Sequence, residues 1–391
     1  MAIPPPIEVT ANPDKILGMS AAQFMRDYWQ KRPLLIRGAF ADFKLPLSPN
    51  DLAGLACEDE ALSRIVCFDR KRDRWQVENG PFAEERFLHM GTRDWTLLVQ
   101  DVDRWDADVR ALLAHFSFLP SWRIDDIMVS FAAPGGSVGA HVDHYDVFLL
   151  QGQGQRHWAI DARAGAPLAT RADAPIKLLE HFSASHEWLL GPGDMLYLPP
   201  GVPHHGVALD ACLTFSIGMR APSVGEMLVA WAEHRAQTLN EGLRYGDPDQ
   251  SAVTEPGLID AAAIKRLRRA LESSLVMSDS ELGEFFGRYL STYRVADRSQ
   301  RKPRSIVETA IAARLSKGRK LMPAAGVRLN FVEQAEGACL HGAGESLAVT
   351  RTVAVACTRG TPISATWWIS ASAADHSGVR AAIERGWLVF E

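Results

Sequence analysis

The segment Gly139-Ala-His141-Val-Asp143-His144-Tyr145-Asp146 carries side chains that can hold a metal ion. It follows the apolar run IMVSFAA and the turn PGGSVG. In extended backbone, side chains at i and i+2 point to the same face. His141 and Asp143 can therefore offer one imidazole nitrogen and one carboxylate oxygen to a common point. A third donor lies far along the chain, in GDMLYLPPGVPHHG, which reads as a strand, a tight Pro-Pro-Gly turn and the pair His204-His205. Adjacent strand residues face opposite ways, so one of these two histidines belongs to the site, and spacing alone leaves the choice open. Two imidazoles and one carboxylate on one face leave adjacent octahedral positions free, the facial arrangement of non-haem Fe(II) oxygenases. Either half alone is a weak signal, since most HxD segments are surface loops or caps. Their joint presence on β-patterned chain carries the weight.

A keto-acid co-substrate on such a site needs a cation for its distal carboxylate. The planar donor fork of arginine suits that task, and Arg156 in QGQGQRHWAI sits on the strand after the HxD turn. Its plain alternative is a surface arginine. Ser130 in IMVSFAA and Thr214 in LTFSIGM are candidate hydroxyl donors inside a barrel, or else ordinary satisfied core hydroxyls.

The elements that must position these residues are legible in outline. Residues 19–31 predict a short amphipathic helix with Ser20 as N-cap, stopped by Pro33, and LLIRGAF follows as a strand. From about 60 to 220, short apolar runs (WTLLVQ, DVFLLQ, HWAI, EWLL, DMLYLP, LTFSIGM) alternate with Gly/Pro/Asp turns, the pattern of an all-β sandwich or jelly roll. One helix interrupts it at 103–116. Residues 222–293 have helical spacing, with Asp260 and Ser278 as N-caps of the second and third helices. The basic stretch 296–305 reads as a linker. The remainder, 306–391, reads as a small α+β domain with helices at 306–316 and 375–386 and strands near VRLNFVE, SLAVTR and WLVFE. In TWWIS, taken as a strand, Trp367 and Trp368 alternate in direction and at least one is core. The resulting division is 1–221 for the catalytic jelly roll, 222–300 for a helical region and 301–391 for the C-terminal domain.

Composition excludes several classes. The 391 residues are 47% hydrophobic and 23% charged with net charge −5, which suits globular domains and gives no basic nucleic-acid footprint. Five scattered cysteines form no CxxC pair, against a thiolate zinc site or a disulfide framework. The opening MAIPPPIEV lacks a secretory pattern, and no run approaches the roughly 18 apolar residues of a membrane span. A reducing cytoplasm is the expected compartment.

HVDHYDVFLLQGQGQRHWAI, GDMLYLPPGVPHHG, FMRDYWQKRPLLIRGAF and LTFSIGMRAPS resemble the JmjC/cupin-fold ribosomal oxygenases of bacteria, most closely their arginine-hydroxylating type. The resemblance covers residues 19–225. It implies an α+β chain with a double-stranded β-helix core, a helical dimerisation region and a C-terminal winged-helix-like domain. It implies Fe(II) held by His141, Asp143 and His204, and 2-oxoglutarate held by Arg156 and Ser130, with O2 as oxidant. It implies hydroxylation of an arginine β-carbon on a basic large-subunit ribosomal protein by a homodimer. The mixed charge of 306–391, read from the residues, argues against direct nucleic-acid binding and for protein recognition. Two residues suit an arginine substrate physically: Asp126 can pair with a guanidinium and Tyr145 can give it an aromatic face. Their alternatives are a strand-end carboxylate and a core aromatic. The chain departs from the family pattern at His205, His144 and Thr214, which leaves the keto-acid and substrate contacts more open than the ligands. The competing expectations are the same chemistry on histidine, asparagine or methyl-lysine, a non-oxygenase metal-binding cupin such as a zinc isomerase, and a purely structural or binding role.

Overall fold

The short apolar runs become the strands of two sheets in the computed structural model, which describes residues 6–12, 15–252, 254–292 and 305–391. In order these strands are β1 (Glu8–Thr10), β2 (Leu34–Arg37), β3 (Ser63–Asp69), β4 (Arg74–Asn79), β5 (Trp95–Val99), β6 (Ile124–Ala132), β7 (Val147–Gln153), β8 (Arg156–Ile160), β9 (His186–Leu190), β10 (Met195–Leu198), β11 (His204–Ala208) and β12 (Cys212–Met219). Nine form one sheet in the order β1-β2-β10-β7-β12-β6-β5-β3-β4, and three form a second, β11-β8-β9. They belong to the first of two compact units, 1–221 and 222–391.

Central strands of the large sheet are apolar on both faces because both faces are covered. On β7, Phe148 and Leu150 join a cluster with Phe24, Tyr28, Phe116, Tyr197 and Phe215. Val147 and Leu149 point the other way, to Trp158, Ile160, Leu190, Leu196 and Leu198. The first cluster is closed by helix α1 (Ala21–Asp27), whose N-cap Ser20 accepts from the Gln23 amide. Phe24 on α1 is fully buried and meets Tyr197 edge-on, with centroids 4.9 Å apart. Burying such a ring stabilises by roughly 2–3 kcal/mol.

Two short helices follow, α2 (Pro49–Leu55) and α3 (Glu84–Leu88). The single helix expected at 103–116 is broken into α4 (Val102–Trp105), α5 (Ala107–Ala111) and a 3-10 turn at Leu112–Phe116. Asp106 causes the break. It is extended (φ −119°, ψ 124°) and its carboxylate caps α5 by accepting from the Val109 amide. A short acidic side chain that competes for backbone donors favours a cap over a helix interior.

In the second unit, α6 (Val224–Thr238) starts on a Ser223–Glu226 capping box, α7 (Ala261–Leu275) on Asp260 and α8 (Asp279–Ser291) on a Ser278–Glu281 capping box. The linker expected at 296–305 lies, up to residue 304, outside the described residues. Beyond it come α9 (Glu308–Ser316), β13 (Leu321–Pro323), β14 (Asn330–Glu333), β15 (Ala338–Gly342), β16 (Glu345–Val349), α10 (Arg351–Thr358), α11 (Ala365–Ser370), α12 (Ala373–Glu384) and β17 (Leu388–Phe390). TWWIS is therefore helical: Ser364 caps it by accepting from the Trp367 amide. Neighbouring helical positions are about 100° apart, so both Trp368 and Trp367 reach the same core, Trp368 fully and Trp367 in part. Among the described residues no helix is long and apolar enough to cross a membrane.

Candidate metal and co-substrate site

Two backbone hydrogen bonds bring the distant ligand segments together. The His141 amide donates to the His204 carbonyl and the His204 amide to the His141 carbonyl, each at 3.0 Å. The pair forms an isolated antiparallel bridge that continues β11. The Gly201 amide of the Pro-Pro-Gly turn also donates to the Asp143 carbonyl at 2.8 Å. Gly139 has φ +77°, and an added Cβ would stand 2.5 Å from Leu178, so this turn requires glycine.

The three side chains converge. One donor atom each from His141, Asp143 and His204 lies within 4.8 Å of the others. His204 Nε2 is 3.6 Å and His141 Nε2 4.0 Å from Asp143 Oδ2. His141 Nδ1 is 3.0 Å from the Gly139 carbonyl, and His204 Nδ1 is 2.9 Å from the Val202 carbonyl. A carbonyl only accepts, so each Nδ1 carries the proton and each Nε2 lone pair faces the carboxylate. Burial pushes the His204 pKa down to about 4, with His141 adding repulsion. The donor set, two neutral imidazoles and one carboxylate, fits a divalent iron. His205 points elsewhere: its ring meets Phe182 edge-on and lines a separate pocket with Trp75 and Leu178. His144 is exposed.

Arg156, Ser130 and Thr214 also meet. Alternation on β6, β12 and β8 turns all three inward, with Thr214 directly opposite Ser130 across β12–β6. Arg156 is buried, and its Nη1 donates to Thr214 Oγ1 at 3.2 Å and to Ser130 Oγ at 3.4 Å. Among the described residues no carboxylate pairs with the guanidinium, and its buried Nε has no partner, nor has Trp158 Nε1 on the same strand face. Trp158 spans the interval: Arg156 lies 5.1 Å from its ring centroid and the His204 ring 6.0 Å. A buried cation without an anion is costly, so this group of buried donors has the chemistry to take up a carboxylate close to the metal ligands.

Asp126 also sits on the inward row of β6, opposite Gly218, where the missing side chain leaves its carboxylate room. Its Oδ2 accepts from the Asp101 amide at 3.0 Å. Burial, then the Asp101 carboxylate, raises its pKa to about 7. The Tyr145 hydroxyl is held protonated by burial and by the Asp143 and Asp126 carboxylates beside it, while its ring remains 40% exposed. An enclosed carboxylate beside a half-open aromatic ring is able to receive a cationic side chain.

Asp146 was not singled out by the sequence. It is fully buried three residues beyond Asp143. Its Oδ1 accepts from Tyr197 Oη at 2.6 Å, and its Oδ2 from Gln30 Nε2 at 2.9 Å and Arg123 Nη2 at 3.2 Å. The ligand-bearing loop is thereby tied to β10 and to the segment after α1. The only sequence signal was a second acidic residue in the HxD segment.

A JmjC domain model matches residues 111–227. An AraC-like ligand binding domain model matches 180–282, which crosses the boundary between the two units. The ribosomal protein uL16 3-hydroxylase of Escherichia coli strain K12 is 38% identical over 281 residues, 71% of this chain and 73% of that protein. The X-ray structure of E. coli YcfD aligns with a TM-score of 0.82 at 33% identity, covering 96% of this chain and 99% of that one. The same ribosomal oxygenase in complex with cobalt and 2-oxoglutarate gives 0.81 at 32% identity, with the same coverage. Fold and site together define an oxygenase of the JmjC class. Within that class, the chain belongs to the ribosomal oxygenase family.

Proposed function

We propose that the protein is an Fe(II)- and 2-oxoglutarate-dependent hydroxylase of an arginine β-carbon on the large-subunit ribosomal protein uL16. The observation that carries the reading is the pairing of two features across Trp158: three donor atoms within 4.8 Å of one another, and a buried arginine with no carboxylate partner among the described residues. His141, Asp143 and His204 hold the iron. Arg156, with Ser130 and Thr214 around it, receives the distal carboxylate of 2-oxoglutarate. Iron and keto acid together supply, with O2, the oxidising power to hydroxylate an unactivated carbon. The chain's own residues bind and orient. Asp126 pairs with the substrate guanidinium, and the Tyr145 ring covers it. The two hold the side chain with its β-carbon toward the ligands. Asp126 favours a cationic target over histidine or asparagine.

The second unit serves assembly in this reading, with 222–300 as a dimerisation region and 301–391 as a winged-helix-like domain that recognises protein rather than nucleic acid. No residue of α6 or α7 is buried. Ile264, Leu267, Leu271 and Leu275 make an exposed apolar stripe along α7 at helical spacing. A second copy of the chain would cover it, forming a homodimer in the cytoplasm, where ribosomal proteins are met.

Incubation of the iron-loaded protein with 2-oxoglutarate, O2 and uL16 tests the reading. Succinate release and one added oxygen atom on an arginine, read by tandem mass spectrometry, are expected, and both should vanish in His141→Ala. Added oxygen on another residue type would move the assignment to that residue. Metal binding without keto-acid turnover would refute it.

A further inference from the structure

Gln151 is buried on β7, on the strand face that Val147 and Leu149 turn toward Trp158. It stands directly opposite Thr214 on β12, and Thr214 stands opposite Ser130 on β6. The three side chains form one row across three strands. The row depends on a bulge: β12 pairs Leu213 with Gln153 but Thr214 with Gln151, so Gly152 is the extra residue. An added Cβ at Gly152 would stand 2.5 Å from the Phe215 ring, so the bulge also requires glycine. Bulges re-aim side chains beside active sites.

The hydrogen bonds of this row run one way. Gln151 Nε2 donates to the Gln153 carbonyl at 2.9 Å and to the Gly154 carbonyl at 3.5 Å. Both are backbone acceptors, which fixes the amide orientation. Gln151 Oε1 is left as an acceptor and takes the Thr214 hydroxyl proton at 3.1 Å. Thr214 has one proton and has given it away, so it can only accept from Arg156 Nη1 at 3.2 Å. The guanidinium is thus oriented by a polar chain that begins in the backbone of the β7–β8 turn, while its Nε edge stays unpartnered.

We infer that Gln151 is a positioning residue for the co-substrate. Through Thr214 it holds the Arg156 fork at the angle at which it takes the distal carboxylate of a five-carbon dicarboxylic keto acid, and so sets the selectivity for that acid over shorter, monocarboxylic ones. The inference rests on the keto-acid reading above and deepens it. Were the amide absent, the Thr214 hydroxyl could turn its proton toward Arg156, and a donor would face a donor.

Isothermal titration of Co(II)-loaded protein with 2-oxoglutarate and separately with pyruvate tests this, with the cobalt absorption spectrum and the melting temperature followed in parallel. Pyruvate carries the same keto-acid head and lacks the distal carboxylate. Gln151→Leu is expected to weaken 2-oxoglutarate binding about tenfold, to change pyruvate binding less than twofold, and to leave the cobalt spectrum unaltered. Thr214→Val should show the same selective loss, and the double variant should be no weaker than Thr214→Val alone, since the two residues act in series. Equal loss for both acids, losses that multiply in the double variant, or unchanged 2-oxoglutarate binding in Gln151→Leu would each overturn the inference. Gln151→Met repeats the test should the leucine variant not fold, and failure of both to fold would assign Gln151 to the core and overturn it as well. If the wild-type protein does not bind 2-oxoglutarate, the functional reading itself falls, independently of Gln151.

Discussion

Asp126 makes a prediction in which stability and function move in opposite directions. Its carboxyl is raised from 3.8 to about 7, first by burial and then by the neighbouring Asp101 carboxylate. A carboxyl whose folded pKa lies above its unfolded value weakens the fold as pH rises. Below about pH 4 it is neutral in both states and costs nothing. Between about 4 and 7 the unfolded chain releases the proton and the folded chain keeps it. Above about 7 the penalty is complete. Three units at about 1.4 kcal/mol each give about 4 kcal/mol. Asp126 is only partly shielded from water, so about 2 kcal/mol is the expected size after screening. Asp126→Asn keeps the acceptor for the Asp101 amide and removes the charge. In chelator-treated protein the variant should therefore melt higher than wild type at pH 8, with the difference shrinking steadily toward pH 5. With iron restored, the same variant should lose affinity for the arginine substrate by at least tenfold, seen as a raised KM. A melting difference that does not change with pH, or an unchanged KM, would refute the assignment of Asp126 as an enclosed carboxyl awaiting a cation.

Three further outcomes are expected. His204→Ala should abolish stoichiometric Co(II) binding, whereas His205→Ala should retain it, because only the former ring faces Asp143; equal loss in both would reopen the choice of ligand. Tyr197→Phe removes one donor from the fully buried Asp146 and should cost about 1–3 kcal/mol, read as a lower melting temperature of the catalytic unit, together with weaker cobalt binding; no change in either would show that Asp146 does not hold the ligand loop. Leu267→Asp with Leu271→Asp places charge on the exposed stripe of α7 and should convert a dimer to a monomer in sedimentation, while a wild-type monomer at micromolar concentration would remove the basis for that expectation.

The parts of the site legible in the sequence were those that depend on local periodicity. His141 and Asp143 share a face because extended chain repeats every two residues, and no tertiary information is needed. The choice between His204 and His205 needed burial: one strand residue faces the cavity and the next faces Phe182. The roles of Gln151 and Asp146 were not legible, although Asp146 stood out as a further acid in the HxD segment. Gln151 reaches Thr214 only through a bulge at Gly152 and the pairing of β7 with β12, and Asp146 finds Gln30 116 residues away in the chain. In the fold, capped helices were readable where a Ser or Asp preceded a periodic run, as at Ser20, Asp260 and Ser278. The same chemistry misled at Asp106, where a cap inside an apparently continuous helix divides it, and at Ser364, which starts a helix through a Trp-Trp pair with β propensity.

The tandem histidines give Gly206 a task of its own. If β11 slipped by one residue, His205 would replace His204 at the ligand position, and the metal would still meet an imidazole. Iron alone is therefore a poor proofreader of this strand's alignment. Trp158 is the stricter one. It pairs with Gly206 across β8–β11, and a Cβ there would approach the indole to 2.8 Å. A slipped strand would offer Val207 to that ring and would be rejected sterically before any metal arrived. In this barrel the alignment of the metal ligands is guarded two residues away, by a residue without a side chain.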